Sequence, residues 1–365
     1  MTLYFVIFFL ILLLPKNRKI AASIFFAVLF LHSACRYGIG IDFWPYWDLT
    51  TKTIGMGQSF ERLEWSSKFL MTLANEYNFP QLYFIVTSFI SISIFTYAMY
   101  REAPDFKLSA LFFYSFLIFY FTTISFIRQG MACSCIFLMM HFLLKREYLK
   151  AIFCIALGCF FHISAIIGVL AFAVYLKIWS RKSCFYFWLL TFLAGQLFLP
   201  VIQEIVSIIP DGGYTVIIKG KDFLTNTRKT DMKGYQSLFY VFNMICVFLL
   251  VNYPLFKKGE KKYEEYIWIF MIGMIILNLI HPFGGHAGYR TALFFFSSLL
   301  VLVPFYINNN KFCSRGVSKF AFTLFCLFLM SYQLYLSHIG FHEQGIKYNY
   351  YLPYRFFWEE DGIYE

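Results

Sequence analysis

Charge is scarce in this chain. Only 14% of its residues are Asp, Glu, Lys or Arg, while 60% are apolar. A soluble domain is usually about one quarter charged and about half apolar, so the shortage excludes an ordinary water-soluble globule. A cysteine framework is missing as well. Of nine cysteines, Cys154, Cys159, Cys246 and Cys326 lie inside apolar runs, where a free thiol acts as a small hydrophobe. Cys133 and Cys135 form a C-x-C rather than a C-x-x-C, so neither a zinc site nor a disulfide scaffold is expected. The apolar runs also lack the period-2 alternation of outer-membrane strands. No charged segment precedes the first run, which therefore reads as a first helix rather than a cleaved signal peptide.

What is abundant is long apolar sequence. Runs recur at Leu3–Leu14, Ile20–Ala34, Leu82–Tyr97, Leu108–Thr123, Trp188–Leu199, Ile267–Ile280, Thr291–Tyr306 and Phe320–Leu336. Backbone facing lipid must bond internally, so such runs are helices. The expected fold is all-α: a polytopic transmembrane bundle of roughly ten full spans, at about 20 residues each. No soluble domain and no internal repeat stand out, so the whole of 1–365 is expected to be one integral membrane domain.

The few charges are unevenly placed. The formal net charge is +11. Six short segments (Pro15–Lys19, Tyr100–Lys107, Lys145–Lys150, Lys177–Lys182, Lys257–Lys262 with the acids that follow, and Lys311–Lys319) hold 18 of the 31 Lys and Arg and 6 of the 20 acids, net +12. The rest of the chain is net −1. Positive charge gathers on the cytoplasmic side of membrane proteins, so these segments are assigned there, beside anionic lipid heads. No basic helix or fold motif points to nucleic acid. Alternation then fails once, at Ala151–Leu176, which lies between two cytoplasmic segments. Each half is about 13 residues, or about 20 Å, too short for a full span. A re-entrant or broken helical hairpin is expected, turning near Phe161-His162-Ile163-Ser164. Both termini then lie outside, with long outer loops at 36–80 and 204–235, short ones at 125–130 and 281–290, and an outer tail at 338–365.

The unusual side chains fall on that outer side. The first loop opens Arg36-Tyr37-Gly38-Ile39-Gly40-Ile41-Asp42-Phe43-Trp44-Pro45-Tyr46-Trp47. Its glycines permit tight turns, and its aromatic faces suit sugar rings. The same residues also fit an interfacial belt whose Arg–Asp pair holds the loop. Arg128-Gln129 opens an apolar helix. An arginine at such a boundary must snorkel, pair or meet an anion, and its planar fork suits phosphate. His162 sits at the expected hairpin turn, where imidazole can act as acid or base or be a buried ring bonded to a carbonyl. His281-Pro282-Phe283-Gly284-Gly285-His286-Ala287-Gly288-Tyr289-Arg290 is a glycine-rich polar cluster between spans. Its histidines have no nearby third ligand, so no metal is expected there. The tail holds Tyr348, Tyr350, Tyr351, Tyr354, Phe357 and Trp358 around Pro353 and Arg355. It could lie on the membrane or fold over the outer cavity. Convergence of Arg36, Arg128 and Arg290, with Asp42 and His162 as acid–base groups, would suit a pyrophosphate on a lipid carrier.

In this order the features resemble the EpsG/Wzy-like group of exopolysaccharide and O-antigen polymerases. They are Arg36…Gly40-x-Asp42-Phe43-x-x-Tyr46, then Arg128-Gln129-x-x-Ala132, then Phe161-His162-x-Ser164-Ala165, then Tyr289-Arg290 leading a late span. Glu64 before the stretch Phe69–Leu73 is similar to the family's first outer loop. Ile41 stands where members often carry a small polar residue. The resemblance implies a membrane glycosyltransferase-like fold in the bacterial cytoplasmic membrane. It implies metal-independent glycosyl transfer, without a cofactor, from undecaprenyl-pyrophosphate-linked oligosaccharide on the extracytoplasmic face. Asp42, His162, Arg128 and Arg290 would be catalytic, with Arg36, Tyr46, Gln129, His286 and Tyr289 binding substrate. Membrane lipids, and a flippase and chain-length regulator of the same pathway, would be its partners. Two other functions also fit an outer-facing membrane protein: an O-acyltransferase of surface sugars, and a lipid-linked oligosaccharide flippase or transporter.

Overall fold

The computed structural model describes residues 1–51, 60, 63–116, 118–176, 180–197, 232–281, 285–343, 351–352 and 354–359, with side chains for all of these but 196, 232–236, 285–286 and 338–343. In chain order the elements are α1 (Thr2–Leu12), α2 (Arg18–Ala34), β1 (Arg36–Tyr37), α3 (Phe43–Thr51), α4 (Trp65–Glu76), α5 (Gln81–Glu102) and α6 (Phe106–Ser115). They continue as α7 (Tyr120–Ser125), α8 (Ile127–Leu144), α9 (Tyr148–Phe161), a 3-10 helix (Ile163–Tyr175), α10 (Arg181–Leu197) and α11 (Met232–Val251). The last are α12 (Tyr253–Lys257), α13 (Lys261–Ile280), α14 (Gly285–Phe296), α15 (Leu299–Asn309), α16 (Arg315–Glu343) and β2 (Arg355–Phe356). The chain forms two compact units, Met1–Ile166 with Val303–Glu365, and Ile167–Leu302.

The helical, membrane-type architecture is as the composition predicts, but the number of spans is not. In place of roughly ten spans, four helices among the described residues are long and apolar enough to cross a membrane. They are Gln81–Glu102, Ile127–Leu144, Lys261–Ile280 and Arg315–Ser337; a fifth is gained if Ala287–Phe296 and Leu299–Asn309, bent by 56°, count as one. Other apolar runs are short helices, such as Thr2–Leu12 and Tyr148–Phe161. Apolar composition reports surroundings, whereas continuity is decided by backbone. The run Leu108–Thr123 shows the difference. Phe116 turns to φ −88°, ψ 125° and Phe119 to φ −106°, ψ −93°, so α6 and α7 are separate helices. The break expected near His162 is present. His162 is extended, at φ −156° and ψ 115°, between α9 and the 3-10 helix. The second long loop, up to residue 231, lies outside the described residues.

In the first unit, α8 is the buried centre. It packs on α5 and α9, α5 packs on α2, and α6 packs on α1 and α16. One end of α5 is tied by polar contacts. Arg18 donates to the carbonyls of Met99 at 3.1 Å and Ala103 at 2.7 Å, closing the end of α5. Lys319 pairs with Asp105 at 2.6 Å, and Asp105 also caps α6 by accepting from Leu108 N. Buried His141 pairs with Glu102. Three basic segments assigned to the cytoplasm, around Arg18, Glu102–Asp105 and Lys319, thus meet. Gln81, at the other end of α5, donates to the Arg36 carbonyl at 3.1 Å. The two ends of this helix are about 30 Å apart at 1.5 Å per residue, enough to separate the two faces of a bilayer.

The end of the chain folds back on this unit. β2 pairs antiparallel with β1, Arg36 opposite Phe356 and Tyr37 opposite Arg355. Tyr4 Oη donates to the Tyr351 carbonyl at 2.6 Å, Tyr354 Oη to the His32 carbonyl at 2.5 Å, and Phe357 N to the Cys35 carbonyl at 3.0 Å. In the second unit, α13 packs on α10, α11 and α14. Trp188 Nε1 donates to Asn243 Oδ1 at 2.7 Å between α10 and α11.

The loop after β1 depends on Gly40. Its φ is +101°, and a Cβ there would fall on the Ile124 carbonyl oxygen and 3.3 Å from Ser125 Cα. Gly40→Ala is expected to lower thermal stability by about 1–3 kcal/mol. Gly316→Ala, exposed in α16 with nothing within 4 Å, should be neutral or stabilising. Equal effects would show that the loop does not need this close approach. Orientation has its own test. Cys313 is exposed within Lys311–Lys319. A membrane-impermeant maleimide should label it only after cells are permeabilised, judged against Cys313→Ser. Labelling in intact cells would reverse the charge-based topology.

Candidate functional site

The site grows from the end of α2. Gly38 and Gly40, at φ +69° and +101°, turn the chain so that Asp42 N reaches the Ser125 carbonyl at 3.1 Å. This docks the first loop against the residues that lead into α8. The chain then enters α3, and the aromatic cluster fixes that helix. Phe43 stacks on Phe84 at 4.4 Å and on Trp47 at 5.5 Å, and Tyr37 packs edge-on to Trp44 at 5.4 Å. Much of the aromatic surface that could have faced a sugar therefore anchors α3 to α5.

Held this way, Tyr46 accepts a hydrogen bond from Arg128 Nε at 2.7 Å, with the guanidinium carbon 5.8 Å from its ring centre. Arg128 is the second residue of α8, whose start is set by the break at Phe126, at φ −111° and ψ 72°. Its Nη1 forms an ion pair with Glu64 Oε2. The other carboxylate oxygen, Oε1, accepts from His162 Nδ1 at 2.7 Å and from Ile163 N at 3.3 Å. His162 arrives there because the chain breaks between α9 and the 3-10 helix, leaving the imidazole and the next N–H facing Glu64. Glu64 precedes α4, which is held to the end of α9 by Ser66 Oγ donating to the Phe160 carbonyl at 2.6 Å.

Three of these side chains are partly exposed. Arg128 is 21% exposed, Glu64 14% and His162 17%. Partial burial acts to raise the Glu64 carboxyl. The hydrogen bond from His162 and the charge of Arg128 outweigh it and pull the group down to about 2. Burial, then the neighbouring Asp42 charge, push the Tyr46 phenol up to about 12, so it stays a neutral partner for Arg128. Since Nδ1–H of His162 is given to Glu64, the neutral ring presents a lone pair at Nε2. The arrangement offers one cation able to meet an anion and one imidazole oriented by a carboxylate. Among the described residues no three His, Cys, Asp or Glu side chains gather as metal ligands.

The other expected site residues lie as follows. Asp42 is half-buried beside Tyr46. Gln129 is buried in α8. Arg36, expected to bind substrate behind Arg128 and Arg290, is 1% exposed. Its Nη1 goes to the Ser33 carbonyl and hydroxyl and to Ser88 Oγ at 3.2 Å, and its Nε to the Ile39 carbonyl at 3.2 Å. Tyr289 and Arg290 belong to the second unit. A Cβ on Gly288 would lie 2.7 Å from His281 N, so α14 starts tight against the end of α13. Tyr289 is buried near Phe242, and Arg290 is partly exposed. The side chain of His286 and residues 282–284 lie outside the described residues. Sequence reasoning did not place Glu64 in the site. Its only signal was an acid ahead of a helix-like stretch, because its partners lie 64 and 98 residues further along the chain.

A model of the EpsG family matches residues 19–356, a range that includes every residue of this cluster. No curated protein and no solved structure matches the chain.

A depressed carboxyl contributes stability above its unfolded value and loses it as pH falls through the folded one. Glu64→Gln should therefore unfold more easily than wild type at pH 7, by on the order of 1–3 kcal/mol. The gap should close as pH falls from 4.5 towards 2. Thermal unfolding in detergent at several pH values checks this, and a gap independent of pH would remove the ion pair as its cause.

Proposed function

We propose, taking as premise that this chain belongs to the EpsG family, that it is a membrane polysaccharide polymerase extending undecaprenyl-pyrophosphate-linked repeat units on the extracytoplasmic face of the bacterial cytoplasmic membrane. The observation that carries this reading is the Arg128–Glu64–His162 constellation, at the opposite end of α5 from the contacts made by Arg18, Glu102 and Asp105.

In this reading Arg128 meets the carrier pyrophosphate, whose charge grows as the sugar leaves. A hydroxyl of the incoming unit attacks the anomeric carbon and gives its proton to His162 Nε2. The bond from that carbon to the pyrophosphate oxygen breaks, and its electron pair leaves on the carrier. Glu64 holds the imidazole in the needed tautomer and meets the positive charge it acquires, as the carboxylate does in a Ser-His-Asp triad. Asp42 sits beside Tyr46, so His162 is assigned as the base. Arg290 is assigned a phosphate contact on chemistry alone, from its planar fork at an early turn of α14. Arg36, with its donors turned inward, is assigned to holding the loop. The partially exposed Arg–Glu–His group lends itself to group transfer more than to passage of a charged lipid through a central cavity.

Elongation by purified protein from synthetic lipid-linked repeat units is the direct test. His162→Ala should slow chain growth by about 10²–10⁴-fold, and Arg128→Ala by about 10²–10³-fold. If Arg128→Ala and Arg290→Ala both extend chains at wild-type rates, the phosphate assignment is wrong.

A further inference from the structure

Arg128, the cation assigned to the substrate anion, is already neutralised from within. Glu64 Oε2 pairs with its Nη1. An arriving pyrophosphate must therefore compete with Glu64 for the guanidinium. The two oxygens of Glu64 are not equivalent. Oε1 is held by two donors, His162 Nδ1 at 2.7 Å and Ile163 N at 3.3 Å, both from the α9 break. Oε2 has Arg128 on it. The backbone of Glu64 is fixed separately, since its carbonyl accepts from Ser67 N and Lys68 N at 3.1 Å each. The side chain makes no capping bond to α4. The carboxylate can thus let go of Arg128 through Oε2 while Oε1 stays on His162.

We propose that Glu64 is a substrate stand-in and a coupling residue: it occupies Arg128 in the resting protein, and a pyrophosphate that takes Arg128 from it leaves the carboxylate's full charge to His162. The inference rests on the reading of Arg128 as the phosphate contact. Its physical basis is the sharing of one negative charge. While Arg128 is on Oε2, much of the carboxylate charge is satisfied there. Once the anion has replaced it, the hydrogen bond from Nδ1 strengthens and the imidazolium formed at Nε2 is better stabilised. The base is therefore strongest when the donor substrate is in place. Glu64 acts through its neighbours, as a positioning residue.

This makes an expectation that a merely structural Glu64 would not. Neutralising Glu64 removes the competitor for Arg128, so Glu64→Gln should bind inorganic pyrophosphate more tightly than wild type. The expected gain is about tenfold, an ordinary size for a coupling between two sites. The same variant should elongate more slowly, with kcat and KM falling together. Calorimetric titration of purified full-length protein with pyrophosphate gives the affinity, and elongation assays give the rates. Unchanged or weaker pyrophosphate binding in Glu64→Gln, while Arg128→Ala loses binding, overturns the stand-in role and leaves the phosphate assignment intact. Wild-type binding in Arg128→Ala overturns the phosphate assignment itself, and the inference with it. Should Glu64→Gln fail to fold, the unmodified protein carries the test. Saturating pyrophosphate should move the His162 ring-carbon resonance at fixed pH in wild type, and by less in Arg128→Ala; an unmoved wild-type resonance overturns the proposal.

Discussion

The Arg36 guanidinium, buried where α2 ends, donates to Ser33, Ile39 and Ser88 and sits over the Phe84 ring at 5.3 Å. A charge this deep is tolerable only if its N–H groups are occupied, and occupying them fixes three pieces of chain at once. The end of α2 is held to α5 through Ser88. The glycine turn is held through Ile39. β1 is left free to pair with β2, which seats the C-terminal residues against Tyr4, His32 and Cys35. From there the loop can run only where Gly40 fits against Ile124, and that path delivers Tyr46 to Arg128.

The candidate site inherits its precision from this frame. Arg128 is aimed by Tyr46 on one side and Glu64 on the other, and His162 by a break in the helical ladder that also supplies the Ile163 N–H. Each group comes from a different segment: α3, the residue before α4, α8, and the junction after α9. A carboxylate bridging an arginine and a histidine is a compact way to keep a cation and a base near each other at a partly exposed surface without mutual repulsion. It also makes the two interdependent, since whatever engages one changes the other. At the far end of α5, Glu102 pairs with His141, Asp105 with Lys319, and Arg18 donates to the Met99 and Ala103 carbonyls. The first unit thus has a closed polar end and an end where charge is left open.

Some of this was legible in the residues themselves. Arg128 stands out at the start of an apolar run, His162 inside one and Tyr46 in the aromatic first loop, and the break at His162 follows from a stretch too short to cross a bilayer twice. The count of spans was not legible. Phe116 and Phe119 are as apolar as their neighbours, so nothing in the run Leu108–Thr123 shows that the helix stops there. Arg36 reads as an outward-facing cation in the sequence because its position at a helix end is the same whether its fork turns to solvent or to Ser33 and Ser88.

By itself the sequence determined the solvent, the helical class and the family, because apolar content, charge placement and motif order are properties of the chain taken in line. Only the tertiary structure decided that Glu64 stands between Arg128 and His162, that Arg36 turns inward, and that the C-terminal residues close on β1. These depend on contacts between residues up to hundreds of positions apart, and hydropathy patterns carry no record of which distant polar groups will be brought within hydrogen-bonding reach.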